Sequence, residues 1–281
     1  MRKKRILIRM AVLVLSLAIW TIWANTALER NTIVVTGENL PDAFSGYRIA
    51  HISDFHNTQN GTLNAGLVQL LKENEPDMIA ITGDLIDSRR TDVAAALQFV
   101  EQAVKIAPCY YVTGNHESRV VEYDELKSGL EALGVEVLEN ESLKLQKDDD
   151  EVILIGVNDP KFMTRKIEEE KEAMERCLEG LVSDGEDYQI LLSHRPELFE
   201  VYVDAGLDLV LSGHAHGGQF RLPFIGGLIA PNQGFFPRYD AGAFTESGTN
   251  MIVSRGIGNS IVPVRFNNRP EVILVELRRG E

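Results

Sequence analysis

The chain has 281 residues, of which 44% are hydrophobic, 7% aromatic and 25% charged, an ordinary globular composition that excludes a collagen-like or low-complexity disordered polymer. Its formal charge is −14, but residues 1–30 hold six basic side chains and one acidic one, so residues 31–281 carry 22 basic and 41 acidic side chains, a net of −19. A body that acidic is a poor general binder of nucleic acid, whose affinity rests on Lys and Arg neutralising phosphates, and two cysteines, Cys109 and Cys177, are too few for a disulfide-stapled secreted scaffold.

Residues 2–5 read Arg-Lys-Lys-Arg, and residues 10–24 form an almost wholly apolar run of 15, or 19 when counted back to Ile6 through Arg9. A membrane-spanning helix takes about 20 residues and a signal-peptide core about 7–15. The segment therefore reads first as an uncleaved anchor and second as a cleaved signal peptide. Cleavage after Ala24 would leave bulky Ile22 at the −3 position, and cleavage after Ala27 would leave Asn25 there. Neither fits the small-x-small rule. Trp20 and Trp23 suit the membrane interface, and Arg9 can reach back to the basic flank. Positive charge ahead of the run places the N-terminus in the cytoplasm and the rest outside, a single pass through the cell membrane, with secretion after cleavage as the alternative. The expected organisation is an anchor over 1–29 and one domain over 30–281.

Along that domain, short apolar runs at 47–52, 78–82, 110–113, 152–156, 190–193 and 209–211 predict buried strands. Three-four spacing of apolar residues predicts helices over 63–74, 92–104, 123–133, 166–181 and 196–205. Such alternation is the pattern of an α/β layered domain. Residues 147–151 (KDDDE) read as a hairpin turn. Beyond Gly217 the chain turns to hairpins rich in Gly, Pro and aromatics, ending in a strand at 272–276. Phe235, Phe236 and Tyr239 in those hairpins are expected to fill a core, with a lipid-facing lip as the alternative. The acidic stretch 168–172 is expected to be a solvated helix face. Cys109 reads as a core residue and Cys177 as a helix residue among charges, with nothing that requires a bond between them.

The chemically informative residues follow strands. The first run ends in His51-Ile-Ser-Asp54-Phe-His56, the second in Gly83-Asp84-Leu-Ile-Asp87, and the third in Gly114-Asn115-His116-Glu117. From Asp54 to Asp84 is 30 residues and from Asp84 to Asn115 is 31, each about one βαβ unit. Right-handed βαβ units keep strands parallel, so these loops emerge along one sheet edge. Later strands add His194 and then His214-Ala-His216, so five of the six histidines sit at strand ends. Imidazoles, carboxylates and a carboxamide make a mixed nitrogen–oxygen donor set suited to Mn, Fe or Zn rather than Ca, and the absence of thiolates excludes a structural zinc finger. The donors suffice for two ions if one carboxylate bridges, and such pairs clamp phosphate esters. Gly83, Gly114, Gly213 and Gly217 fit the tight turns beside them. His51, within its strand, reads as structural. Asp87 and Glu117 either orient metal-bound histidines or cap turns, and Arg195 either clamps a phosphate or makes a surface ion pair.

Asp-x-His, Gly-Asp-x-x-Asp, Gly-Asn-His-Glu, a lone His after a strand and Gly-His-x-His, in that order, resemble the calcineurin-like metallophosphoesterases from about residue 45 onward. The resemblance implies an α/β fold of four layers, a β-sandwich flanked by helices. It implies that Asp54, His56, Asp84 and His216 hold one divalent metal and that Asp84, Asn115, His194 and His214 hold a second. His116 corresponds to the family's catalytic histidine, which stabilises or protonates the leaving oxygen. Asn57, where many members have Leu-Gly, departs from the pattern. The anchor, the block His214–Gly226, residues 232–237 and residues 254–260 are similar to a narrower bacterial branch that includes enzymes like UDP-2,3-diacylglucosamine pyrophosphatases. The implied function is a metal-dependent hydrolase of phosphodiester or pyrophosphate bonds, with a lipid-linked substrate as the narrower expectation, acting as a monomer. A broad-specificity cell-envelope phosphodiesterase is the alternative. A non-catalytic metal-binding scaffold is the alternative of another class, and it would be expected to have lost ligands that are all present here.

Overall fold

The computed structural model describes residues 2–183, 185–259 and 264–280. Six helices are α1 (Arg2–Thr26), α2 (Gly61–Asn74), α3 (Val93–Ala103), α4 (Tyr123–Ala132), α5 (Glu170–Glu179) and α6 (Phe199–Asp204). Strands β1 (Glu29–Gly37), β2 (Arg48–Ile52), β3 (Met78–Thr82), β4 (Cys109–Val112), β5 (Glu136–Val137), β6 (Glu141–Lys147), β7 (Asp150–Gly156), β8 (Gln189–Leu192) and β9 (Leu209–Ser212) precede four two-residue strands. Those are β10 (Arg221–Leu222), β11 (Gly226–Gly227), β12 (Ile229–Ala230) and β13 (Gly234–Phe235). The chain closes with β14 (Gly242–Glu246), β15 (Thr249–Val253) and β16 (Glu271–Arg279).

Two six-stranded sheets face each other, with orders β1-β16-β2-β3-β4-β5 and β14-β15-β9-β8-β7-β6. Ile49, Ala80, Val112, Leu154, Leu192 and Leu211 meet between them in one core. The far face of the first sheet is covered by α2, α3 and α4 through residues such as Leu67, Phe99 and Leu126. The far face of the second is covered by α5 and α6 through Met174, Phe199 and Tyr202. This is the four-layer arrangement expected. Strands buried on both faces need continuous apolar runs, which is why the central ones were legible as such.

Two helix starts are set by side chains. Asn60 accepts from the Leu63 amide (3.1 Å) at the head of α2, and Asp92 accepts from the Ala95 amide (2.9 Å) at the head of α3. The expected helix over 166–181 begins as α-helix only at Glu170, after a 3-10 turn at Ile167–Glu169. Glu170 is buried against Lys161, so the acidic stretch is not wholly a solvated face. The 147–151 turn joins β6 to β7, with Lys147 paired to Asp150. Strand β1 has no counterpart in the sequence reading, because it alternates exposed polar with half-buried residues and follows α1 directly. It pairs in parallel with β16 along its whole length. Both cysteines are free.

The aromatic hairpins are a second departure. Tyr239 is buried edge-on against Phe199 and Phe244, as expected. Phe235 and Phe236 are 71% and 60% exposed. Strands β10–β11 and β12–β13 form separate two-stranded sheets, and among the described residues neither ring belongs to any of the three cores. Of residues 254–260, Ser260 lies outside the described residues.

Candidate metal centre

Strands β2, β3 and β4 are parallel, as are β7, β8 and β9, so the loops at their C-terminal ends gather along one edge of the sandwich. The first three carry Asp54 and His56, then Asp84, then Asn115 and His116; the loops after β8 and β9 carry His194, then His214 and His216. Hydrogen bonds stitch loop to loop: the Asp54 amide donates to the Gly83 carbonyl (3.0 Å), His56 to Asp84 (2.9 Å) and Gly213 to His194 (3.3 Å). Asp54, His56, Asp84, His214 and His216 all adopt left-handed backbone, with φ between 47° and 64°. Each costs on the order of 1–3 kcal/mol, and such strain concentrates where function fixes the geometry. Gly114 has to be glycine, because a Cβ there would fall on the Asp84 side chain and amide.

All seven expected ligands are buried and converge. Single donor atoms of Asp54, His56, Asp84 and His216 lie within 4.8 Å of one another, as do those of Asp84, His194 and His214. His216 Nε2 is 3.2 Å from Asp54 Oδ1 and from His56 Nε2. Asp84 Oδ2 lies 3.7 Å from His56 Nε2 and 3.3 Å from His194 Nε2, so one oxygen faces both groups. His194 Nε2 is 3.2 Å from His214 Nδ1. One terminal atom of the Asn115 carboxamide sits 2.8 Å from His214 Nδ1, the other 3.2 Å from the Arg119 guanidinium. With nitrogen toward His214 the carboxamide donates to a bare Nδ1; with oxygen there it accepts from a protonated Nδ1 or, once that nitrogen is bare, shares a cation with it. Burial keeps His56 neutral, lowering its pKa to about 3, and drives His214 and His216 well below the usual imidazole range. For His194 burial works against charge, but Asp84 together with Asp54 and Asp159 outweighs it and raises the pKa to about 10. Buried imidazoles, three of them neutral, facing buried carboxylates fit divalent cations.

A third grouping, His56, Asp87 and His116, also lies within that reach. It is a poor ligand set, because the Ser88 amide donates to His116 Nδ1 (2.9 Å). That bond places the proton of the neutral ring on Nε2, which faces Asp84 Oδ2 at 3.9 Å. Burial lowers the His116 pKa and keeps it neutral. His51 donates or accepts at Thr82 Oγ1 (2.8 Å) inside the core, the structural place its strand position predicts.

Supporting residues hold the loops. Glu117 accepts from the amides of Asp84 (3.1 Å), Ile86 (3.2 Å) and Gly114 (2.8 Å), a turn-tying role rather than an imidazole partner. Burial, then the charge of Asp84, pushes its pKa up to about 7. Asp87 stays 3.9 Å from both His56 and His116, beyond hydrogen-bond reach. Arg195 is not a surface ion pair, and it forms part of the wall of the cleft over the centre. It is buried, gripped by both Asp159 oxygens, 3.2 Å from Glu197 and 3.1 Å from His214 Nε2. The Thr82 carbonyl accepts from His194 Nδ1 (2.7 Å) and turns Nε2 inward. Asn268 donates to the carbonyls of His216 (2.7 Å) and Gln219 (3.2 Å). Sequence reasoning missed Asp159, Ser88 and Asn268. Asp159 could have been found by its place just after a predicted strand, whereas Asn268 carries no local signal. A cleft of about 90 Å³ opens over the centre, lined by Asp84, His116, Arg119, Lys161, His214 and Asn232 among others. A groove of about 800 Å³ between α2 and α3, lined by Gln59, Asn64, Lys72 and Gln98, shares no lining residue with that cleft.

Residues 47–218 match the family model of the calcineurin-like phosphoesterases. The chain belongs to that family. It is a hydrolase acting on phosphoric esters, from a family built around a dinuclear divalent centre. The phosphoesterase is 29% identical over 257 residues to YkuE of Bacillus subtilis, an uncharacterized metallophosphoesterase, covering 89% of this chain and 86% of that one. It is 28% identical to the phosphodiesterase YaeI of Escherichia coli, covering 84% of each. A transmembrane protein with metallophosphoesterase domain from Danio rerio is 29% identical over 86% of this chain and 56% of its own length. Among solved structures, TT1561 of Thermus thermophilus superposes with a TM-score of 0.50 over 76% of this chain and 91% of that one, at 16% identity, a likeness of fold. With α1 long and apolar enough to cross a membrane, these relatives point to a membrane-associated phosphoesterase.

Proposed function

We propose that the protein is a single-pass membrane phosphoesterase that uses two divalent ions to hydrolyse a phosphodiester or pyrophosphate bond outside the cytoplasm, as a monomer. One observation carries the reading: side chains from five strand-end loops of two sheets converge around one shared carboxylate oxygen, Asp84 Oδ2. Asp54, His56, Asp84 and His216 would hold one ion, and Asp84, Asn115, His194 and His214 the other. When bound, the ions supply an acidified water and take up charge on the phosphoryl oxygens. The chain's own contribution is positional. Thr82 turns His194 inward and Arg195 braces His214. His116, with its proton set on Nε2 by the Ser88 amide, is placed to stabilise the leaving oxygen by a hydrogen bond from its neutral ring.

The anchor reading is supported by the tight join between α1 and the domain, which leaves Ala24 buried and Asn25 bonded to Arg265. A signal peptide destined for removal has no reason to make such contacts. The narrower substrate, a UDP-diacylglucosamine-type pyrophosphate, rests on motif likeness, whereas a domain outside the cytoplasm would not meet a cytosolic UDP-sugar. A broad envelope phosphodiesterase is the alternative, and the E. coli relative named a phosphodiesterase supports the diester part of it. The test is turnover by the full chain in detergent with Mn, comparing an aryl phosphodiester, an aryl phosphomonoester and the lipid pyrophosphate. Preference for the lipid pyrophosphate would establish the narrow substrate and reverse the topology. Preference for the simple diester would support the broad enzyme. Two bound ions with no turnover of any of the three would leave the scaffold reading.

A further inference from the structure

Helix α1 ends at Thr26 and β1 begins at Glu29, leaving no linker between the spanning segment and the domain. The join is bonded from both sides. The Asn25 side chain donates to the Arg265 carbonyl (3.0 Å) and accepts from the Arg265 amide (2.8 Å). Arg269 donates to the carbonyls of Ala27 (2.9 Å) and Leu28 (2.7 Å) and lies 4.7 Å over the Trp23 ring, itself 5.1 Å from Trp20. Tryptophan pairs of this kind mark the headgroup level. The domain surface around Arg265 and Arg269 is therefore held at the membrane interface.

That surface continues into the two small hairpins. Phe220 bridges to Phe266, the Arg221 amide donates to the Phe266 carbonyl (3.0 Å) and Gln219 donates to the Val264 carbonyl (2.8 Å). Among the described residues outside α1, eleven large apolar side chains are exposed, and six of them fall within residues 222–236. Phe224 is fully exposed in the turn between β10 and β11, with Ile225 at 62%, and Phe235 and Phe236 stand out at the end of β13 and just beyond it. Scattered exposed leucines need no explanation, but a cluster does. The same segment supplies Pro231 and Asn232 to the wall of the catalytic cleft.

We propose that these exposed hairpin side chains insert into the bilayer that α1 crosses, so that the cleft opens on the headgroup layer and takes phosphoesters carried by membrane lipids. This rests on the reading of the chain as a membrane-anchored phosphoesterase and names its substrate class by where the cleft lies. Exposed aromatics on an anchored domain behave as an interfacial segment, with side chains reaching the acyl boundary and the fold remaining in water. The occupant is lipid rather than a partner protein because α1 already fixes the surface beside these side chains at bilayer level.

The test uses the full chain in phosphatidylcholine vesicles. Phe236→Trp, in a Trp20→Phe/Trp23→Phe background, should give blue-shifted emission quenched by brominated acyl chains. Water-like, unquenched emission would overturn the proposal, including the case in which a protein partner covers these side chains instead. In a second arm, Phe224→Ser/Phe235→Ser/Phe236→Ser should keep its turnover of a dissolved aryl phosphodiester. It should lose roughly tenfold, equivalent to about 1.4 kcal/mol, against the same diester carried on a lipid tail in the vesicle. Unchanged turnover of the vesicle-borne diester would sink the idea. If the unmodified chain hydrolysed neither substrate, the phosphoesterase reading would fail while the quenching result still decided membrane contact.

Discussion

The two sheets contribute unlike halves to the site. The loops behind β2, β3 and β4 bring both carboxylates, Asp54 and Asp84, with one imidazole donor, whereas those behind β8 and β9 bring imidazoles alone. The first half is cross-tied by a carboxylate, Glu117, that gathers three backbone amides. The second is braced by a buried cation, Arg195, held between Asp159 and His214. Apart, one half is a cluster of buried negative charge and the other a row of imidazole rings braced by a buried cation. Packing of the two sheets brings acid to base, so the site is complete only where both sheets meet.

Asp84 is where the halves meet, and its loss should have the largest effect. Asp84→Asn removes the charge facing both His56 and His194, and we expect loss of both metals and of most turnover. Retention of two ions, counted by elemental analysis of the full chain, would contradict a shared ligand. His116 should behave differently, because its ring is tied to Ser88 and no metal needs it. His116→Ala is expected to lower kcat by roughly 10²–10⁴-fold with metal content intact. Equal turnover would remove it from the mechanism. On the imidazole side, Asp159→Asn leaves the Arg195 cation buried with Glu197 as its remaining acidic partner. Stripping a partner from a buried pair costs about 3–5 kcal/mol, seen as a lowered thermal midpoint, and should loosen the His214 side before the His56 side.

How much of this was legible follows the same division. Parallel strands buried on both faces write themselves as apolar runs, and the donors stand directly behind them, so Asp54, Asp84, Asn115 and the later histidines could be placed on one sheet edge before any coordinates. Edge strands were not legible. Strand β1 keeps one fully buried residue, Val35, and its alternation of polar and half-buried positions resembles a loop. For Arg195 the surface ion pair was the misreading, because its partner Asp159 is 36 residues away and the pair is buried. Phe235 and Phe236 misled because aromatics in hairpins usually find a core, whereas these two rings belong to none of the three cores. Sequence registers periodicity along a strand; it does not register which distant loop a side chain meets.

Asn268 is the sharpest case of that blindness and sets the smallest effect. Its amide nitrogen donates to the carbonyls of His216 and Gln219, pinning the left-handed turn that aims His216 at Asp54. Asn268→Ala leaves both carbonyls without that donor, and metal affinity should fall by about 10–100-fold, the usual scale for a residue that orients a ligand. The His116-dependent step should be untouched once metal is saturating. Asn268→Asp is the informative companion, since it keeps the shape but turns an acceptor toward two acceptors. If the amide works as a donor, affinity must fall in the order Asn, Ala, Asp, and an Asp variant better than Ala would mean that shape, not hydrogen bonding, holds the His216 turn.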